Sequence, residues 1–410
     1  MKSDKLFDEI GLISDAHINE AEDIVKLPAA KRVWVKWTSI AAAACLIIAA
    51  AFIAVPKYLE PDEPVKVLPD LPMLEISDSR EAYGFEGHMA YDVSELSSGN
   101  PWTEDVLIET LPVFRNIEKH DNAGRLISGL SADAMIQKAE EIAAILGLTI
   151  DSVYTNPTEE ELQRIWEKEY STSGKEGYVP DETPYEAEAI CGDVTIRAQA
   201  NGAVRIFFEN GVEVPDKYNF TYYDTTEEET ADAMYYLLEQ YEAVVDMTSP
   251  SLALFGSYNY YGQHSFNFAA YENTGSLTDQ ILGYNFNRVA FAPSEGGELW
   301  IIDRYAADLS QKIADYPIIS AQEARDELLS EQYITTVGEE FPGEEYVASV
   351  ELVYRTGRYD EMFIPYYRFF VELPTMQLDN GLKTFGAYYV PAVESQYISY
   401  VALWDGSFNK

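Results

Sequence analysis

The side chains able to do proton-transfer, nucleophilic or metal chemistry are scattered in this sequence, apart from its many carboxylates. The four histidines, His17, His88, His120 and His264, include no pair four residues apart, and Cys45 and Cys191 make neither a CxxC pair nor a zinc spacing. His264 closes the stretch Tyr260–Tyr261–Gly262–Gln263 and precedes Ser265, where an imidazole beside a hydroxyl could support a nucleophile. No GxSxG elbow presents that serine, and a strand-end histidine next to a polar turn accounts for the same residues. HExxH, Walker, GxGxxG and EF-hand patterns are absent. With 70 acidic residues, no glycosidase-like carboxylate pair can be singled out. Glu159–Glu160–Glu161 and Glu227–Glu228–Glu229 stand where helices are expected to open, a place that suits acids through the helix dipole.

Tyrosine is the remaining lead. Tyr258, Tyr260, Tyr261, Tyr366, Tyr367, Tyr388 and Tyr389 fall in stretches that read as strands. An exposed strip built on Tyr260, Tyr261, Tyr366 and Tyr388 could bind a peptide or glycan of the cell envelope. Ordinary sheet packing favours tyrosine in the same positions. The chemistry on offer is therefore that of a binding protein and not an enzyme, with no cofactor and no metal expected.

The element that must position these residues relative to everything else is Trp37–Pro56, WTSIAAAACLIIAAAFIAVP, which holds no charge. Twenty residues of helix rise about 30 Å, the thickness of a bilayer's hydrocarbon core. Insertion rests on Trp37, Ile40, Leu46, Ile47, Ile48, Phe52, Ile53 and Val55, the rest being mostly alanine. Lys26, Lys31, Arg32 and Lys36 precede the span, whereas Glu60, Asp62 and Glu63 soon follow it. The positive-inside rule then places residues 1–36 in the cytoplasm and the C-terminal region outside, with Trp34 and Trp37 at the inner headgroups. A cleaved signal peptide would have a short basic start, and two helical patterns precede this span instead. Ala42–Ala43–Ala44–Cys45 has a lipid-attachment look, but its most apolar part follows the cysteine. Cys45 reads as a small residue compatible with lipid.

The formal net charge is −42, and residues 1–36 hold six basic and seven acidic groups, so nearly all of the excess acid lies beyond the span. A region that acidic repels nucleic acid and favours cations or basic partners, while also keeping the surface soluble.

Ahead of the span, Ser3 can cap a short helix carrying Leu6, Phe7 and Ile10 and ending at Gly11. A second helix starts near Ser14 or Asp15, and Ile13 and Ile18 extend the apolar set. Helices this short are marginal alone in water, so they either fold against a partner or remain a solvated tail. The pattern FDEIGLISDAHINEAED, then KRVWVKW, then one Ala-rich span resembles a Firmicutes family of single-pass membrane proteins described as anti-sigma-factor-like. The resemblance covers residues 4–56 and rests on Asp8, Ile10, Gly11, Ile13, Asp15, Ile18, Glu20 and Ala21. It implies a cytoplasmic sigma factor, or another regulator, as the partner of Leu6, Phe7, Ile10, Ile13 and Ile18. Zinc-binding members use a His and two Cys ahead of the span, and His17 alone rules that variant out.

Past the span, residues 57–105 read as a Pro-rich acidic linker punctuated by Pro61, Pro64, Pro69, Pro72 and Pro101, with Met73–Ile76 apolar enough to add an edge strand. From there an α+β pattern begins. Ser131 caps a helix carrying Met135, Ala139, Ile142 and Ala143 and stopping at Gly147. Thr158 with Glu161, Thr226 with Glu229, and Ser320 with Glu323 form capping boxes that open further helices. Strands are expected at 107–113, 185–191, 193–200, 203–208, 251–260, 264–271, 283–292, 297–304, 346–354, 362–373, 383–393 and 397–404. Asn201–Gly202 makes a strong hairpin signal between two of them. Helices alternating with meandering strands imply antiparallel sheets with helices packed on them, in domains 106–249 and 250–410 with a loose boundary between. The run YPIISAQEARDELLSEQY with the hairpin around IPYYRFFVEL resembles PepSY-like extracytoplasmic modules over residues 316–393, which implies binding or regulation outside the membrane.

The expectation is an anchored extracytoplasmic sensor or binding protein acting on a cytoplasmic sigma factor through its N-terminal helices. The alternative is a cell-envelope binding or scaffold module whose N-terminus only sets topology.

Overall fold

The computed structural model describes residues 70–76, 89–91, 99–120, 126–158, 160–161, 164, 185–223, 225–258, 263–357, 360–377, 381–401 and 403. The helix pair of 1–36, the span Trp37–Pro56, and Tyr260 and Tyr261 lie outside them. Among the described residues, no helix is long and apolar enough to cross a membrane.

Asp70–Lys410 is one compact unit of α+β class, and its sheets are mostly antiparallel. The largest has eight strands, which run in space Pro250–Tyr258, His264–Glu272, Asn287–Pro293, Leu299–Ala306, Val204–Val212, Val194–Gln199, Glu186–Cys191 and Ser152–Asn156. Ile206 pairs with Ile302 across the join between Val204–Val212 and Leu299–Ala306. One sheet thus carries strands from both sides of residue 250, and no break falls at the expected domain boundary. Helices cover one face of this sheet. In Ala132–Ile145, Met135, Ala139, Ile142 and Ala143 recur at helical spacing and are buried. In Glu227–Gln240, Ala233, Met234, Leu237 and Leu238 do the same. Ile196, Ile206 and Ile302, each 0% exposed, meet them from the strands.

The caps form as their residues dictate. Ser131 Oγ accepts from Ala134 N at 3.2 Å, and the boxes at Thr226–Glu229 and Ser320–Glu323 close reciprocally. Thr158 N donates to Glu161 Oε2 at 3.0 Å, so that box is also present. The helix after Thr226 is Glu227–Gln240. It breaks at Tyr241, and the four-residue turn Glu242–Val245 ends at Asp246 in the left-handed region.

The second sheet system has five strands. Ile334–Thr335, Lys383–Pro391, Pro365–Glu372 and Val347–Tyr354 run in that order, and Met89–Tyr91 adds to Lys383–Pro391. A three-stranded sheet of Lys312–Pro317, Thr110–Arg115 and Met362–Phe363 lies in the same half. Along Val347–Tyr354 alternate residues divide between two cores. Val350, Leu352 and Tyr354 join one with Phe369, Tyr388 and Val390, whereas Val353 joins the other with Tyr366, Ala387 and Tyr389. Burial on both faces explains why these strands read as nearly continuous apolar runs.

Of two expectations, the edge strand near Met73–Ile76 forms and the strand at 283–292 is amended. Leu74–Ile76, inside the stretch read as a linker, is a strand parallel to Ile398–Val401, with Leu74 1% and Ile76 4% exposed. Tyr316 Oη donates to Pro72 O at 2.8 Å and Ser399 Oγ to Leu74 O at 2.9 Å, which fixes its place. Trp102 is also buried, its ring 5.5 Å from that of Tyr367. The strand expected over 283–292 begins only at Asn287, because Leu277–Phe286 is a helix opened by a Ser276–Asp279 capping box.

That helix seats on the large sheet through Gly283. A Cβ built there would lie 2.0 Å from the Glu272 carbonyl oxygen, well inside contact distance. In an ordinary helix interior Gly→Ala gains about 1 kcal/mol. Here Gly283→Ala is expected to reverse that sign and lose about 1–3 kcal/mol through overpacking. The urea midpoint of the variant reads this directly, and a midpoint raised above wild type would contradict the packing described.

Candidate functional site

A cavity of about 340 Å³ opens where the Leu277–Phe286 helix meets the five-stranded sheet. Three segments build it. Tyr284, Asn285 and Arg288 come from the helix end and the strand after it. Val353, Tyr354, Arg355, Thr356 and Gly357 come from the end of Val347–Tyr354 and the turn beyond. Arg368 and Tyr389 stand on the two neighbouring strands. Among the described residues the lining contains no Asp, Glu, His, Lys or Cys. For a chain in which 28 basic residues face 70 acidic ones, three arginines on one cavity is a strong local concentration of basic side chains.

Sheet register places one of them. Glu351, Arg368 and Tyr389 lie directly opposite one another across three strands, so their side chains share a face. Glu351 is 2% exposed, and Arg368 reaches it with Nε at 3.1 Å and with Nη2 as well. The guanidinium carbon also lies 4.9 Å from the Phe370 ring centroid. Arg355 follows the same strand past its end. Its side chain is buried, with the guanidinium carbon 5.3 Å from the Tyr389 ring and 5.8 Å from that of Tyr366. Nη1 sits 3.6 Å from Asp360 Oδ1. Asp360 is itself held: Gly357 N donates to its Oδ2 at 3.1 Å, and its carbonyl accepts from Asn116 Nδ2 at 2.9 Å. Arg288 lies opposite Tyr271 on one side and Tyr305 on the other.

Asn285 locks the helix to the strand end. Its Nδ2 donates to Ile281 O at 2.7 Å, and its Oδ1 accepts from Tyr354 N at 2.9 Å. Both ends of this 5% exposed amide are used, so it is a positioning group for the wall. Tyr284 is 4% exposed and edge-on to Tyr271 at 5.2 Å. Burial pushes its phenol well above the usual range and Glu351 adds to this, while Arg368 and Arg288 pull the other way. The phenol keeps its proton at neutral pH and can donate. Guanidinium is always charged.

The cavity is therefore a set of fixed cationic and neutral donors around a space of ligand size. Of the three guanidiniums on its wall, that of Arg368 is held by Glu351 and that of Arg355 approaches Asp360. Donors of this kind suit acceptor oxygens.

The residues singled out from sequence fall elsewhere. Tyr366 and Tyr388 are 3% and 0% exposed, so neither presents a ring on an exposed strip. Tyr388 packs on Tyr333 and Phe341, with ring centroids at 5.0 and 5.7 Å. Tyr366 backs the cavity through Arg355 without lining it. Leu6, Phe7, Ile10, Ile13, Ile18, Trp37, Leu46, Ile47, Ile48, Phe52 and Ile53 lie outside the described residues, like Tyr260 and Tyr261. His120 approaches Glu118 at 3.3 Å and is not among the residues that line the cavity, and Cys191 is a buried free thiol. Among the described residues no three His, Cys, Asp or Glu are grouped to hold a metal ion. Arg288, Arg355 and Arg368 were not singled out by sequence. The signal available was scarcity: each sits inside or at the end of an apolar, aromatic strand segment (NFNRVAF, LVYRTG, PYYRFF) where a solvated cation has no place. No protein-family model matches the chain, and no curated protein matches it either.

Proposed function

We propose that this chain is a membrane-anchored binding protein whose acidic α+β body, outside the membrane, takes a small anion into the cavity of Arg288, Arg355 and Arg368. The observation that carries the reading is the convergence of three arginines on one cavity in a chain of net charge −42. Guanidinium forks are the side chains best suited to hold the oxygens of an anion. Anchoring is supported by the uncharged run Trp37–Pro56 and the basic residues before it. The described lining offers guanidinium, amide and phenol donors, which suit binding and orientation. Residues 1–36, through Leu6, Phe7, Ile10, Ile13 and Ile18, would pass the occupied state to a cytoplasmic sigma factor or a similar regulator.

The test uses the full chain in detergent. Small anions should raise its melting temperature, since a ligand at 100 times its Kd adds about 2.7 kcal/mol to the folded state. A flat response to carboxylates, phosphates and sulfates alike would sink the binding reading. Deleting residues 1–25 should leave the shift intact and abolish any transcriptional response in cells. If the cellular phenotype survives that deletion, the body acts as an envelope scaffold and the signalling part fails.

A further inference from the structure

At residues that take no part in the cavity, we infer a second binding surface, on the eight-stranded sheet, whose ligand is a neutral, extended oligosaccharide. Helices pack on one face of this sheet through Ile196, Ile206 and Ile302. On the opposite face Ala253 and Tyr271, from the two strands at one edge, are buried in a core shared with the second sheet system. The five strands from Leu299–Ala306 to Ser152–Asn156 turn that face to solvent. Register sets Asp303, Arg205, Arg197, Glu188 and Tyr154 directly opposite one another, a row about 19 Å long at about 4.8 Å per strand. Ile301, Phe207, Thr195 and Ile190 form the row beside it. A register shift between Leu299 and Ile301 leaves Trp300 outside the strand pairing and re-aims it. Its ring, 41% exposed, meets that of Phe207 edge-on at 6.4 Å, and Tyr154 at the far end is 40% exposed.

Charge decides what this face can take. Arg205 grips Asp303 with two N–H groups, Nη2 lying 2.8 Å from Oδ2, and Arg197 Nε donates to Glu188 Oε2 at 2.6 Å. Tyr154 Oη donates to the same Glu188 carboxylate, and Glu186 stands 3.8 Å from Arg197. Each guanidinium already holds a carboxylate and each carboxylate a guanidinium, so the face complements an uncharged ligand. A second copy of the chain would bring another strongly acidic body onto it, and like charge opposes that. An extended peptide draws its affinity from backbone pairing at a sheet edge, whereas the interior strands here are already paired with one another. An amphipathic helix needs an apolar groove, and this row holds four charged side chains. Sugar chains meet the remaining chemistry. The rings of Trp300, Phe207 and Tyr154 offer apolar faces to pyranose C–H groups. The guanidinium carbons of Arg197 and Arg205 lie 4.9 and 5.8 Å from the Phe207 centroid, which sets hydroxyl-binding groups beside a ring. An open face encloses no single sugar, so the ligand gains contact by running along the row.

The experiment is titration calorimetry on the full chain in a polyoxyethylene detergent, which has no sugar head group to compete. The probes are cellohexaose, hexagalacturonate and a capped, uncharged threonine–tyrosine peptide of similar length. Cellohexaose should bind at least about tenfold more tightly than either of the others. Trp300→Ala should weaken cellohexaose by about tenfold or more. Tyr235→Ala, which removes a 53% exposed ring from the helix Glu227–Gln240 on the other side of the sheet, should leave it unchanged. The double variant Arg205→Ala/Asp303→Ala removes a matched pair, should also weaken cellohexaose, and serves if Trp300→Ala melts early. No binding of cellohexaose at millimolar concentration, or binding untouched by Trp300→Ala, would overturn the assignment. Hexagalacturonate binding equally well would overturn its neutrality, and the peptide binding equally well would make the face a peptide site. The anion-induced rise in melting temperature should persist in Trp300→Ala whatever the sugars do, because the two sites share no residue.

Discussion

Raising the pH above 10 is expected to unfold the protein within one to two pH units, through its buried tyrosines. Burial pushes the phenols of Tyr284, Tyr354, Tyr367 and Tyr388 well above their ordinary value of 10, and that of Tyr305 up to about 12. Each is neutral when protonated, and none can become an anion in the core without leaving it. In the unfolded chain the same groups lose their protons near pH 10. Above that pH the unfolded state therefore binds fewer protons than the folded state, and stability falls as pH rises. Their contribution is complete below pH 10 and is lost as the pH climbs from 10 toward the folded values, about 12 for Tyr305. Each such group costs up to about 1.4 kcal/mol per pH unit, so five together approach about 7 kcal/mol per unit. Against a typical folding free energy of about 5–15 kcal/mol, that is enough to end the folded state. Tyrosinate absorbance and near-ultraviolet circular dichroism should change together in one cooperative step. Retained near-ultraviolet signal at pH 12 would contradict the assignment, and Tyr305→Phe should flatten the slope by about one group's share, about 1.4 kcal/mol per unit.

The same tyrosines mark how far the sequence could be read. Helices with a Ser or Thr cap and Glu at the third position were legible at Thr226 and Ser320, because the signal is local and needs no tertiary partner. Leu277–Phe286 uses Asp279 in that role, and Gly283, Tyr284, Asn285 and Phe286 are poor helix formers, so its stretch reads as strand. It is helical because Gly283 lets it lie on the Glu272 backbone, a contact that only the fold supplies. Leu74–Ile76 was legible as an edge strand from its apolar residues, but its partner was not, because that strand lies more than 300 residues away. The aromatic strands were legible as strands, but which of their faces is exposed was not. Tyr366 and Tyr388 are adjacent to residues of opposite orientation, and both faces of their sheet are covered.

The cavity was the least legible feature, for a reason of register. Arg288, Arg355 and Arg368 come from three strands, and nothing in their separate neighbourhoods brings them together. Once the turn after Tyr354 is read as a hairpin, Tyr354 opposite Pro365 places Glu351 opposite Arg368. The pairing of Arg368 with Tyr389 then follows from the next strand. The helix contributes Tyr284 and Arg288 only because Asn285 ties its end to Tyr354. A basic cavity in an acidic chain is thus the product of four local rules acting at once, each ordinary alone.

Arg368→Met is expected to cost about 3–5 kcal/mol, because it leaves Glu351 as an uncompensated carboxylate deep in the core. The two sides of this pair are unequal. The Glu351 side chain is 3% exposed and that of Arg368 is 13%, since the guanidinium lines the cavity and reaches toward water. Glu351→Leu should therefore cost less, about 1–3 kcal/mol, the cation relaxing into the cavity while the leucine fills apolar space. The double variant Glu351→Leu/Arg368→Met should regain most of the loss, giving a coupling of several kcal/mol, on the order of the buried pairs whose hydrophobic replacement is neutral or stabilising. Urea melts of the four proteins measure this cycle. If the two single losses simply add, the pair is not coupled and the geometry around Glu351 is wrong. The cycle also separates fold from function. In the double variant the cavity loses one cation and one carboxylate, so its net charge is unchanged, yet its fork for oxygen is gone. A folded double variant that no longer binds anions would show that the donor geometry of Arg368, beyond the summed charge, is what the ligand uses.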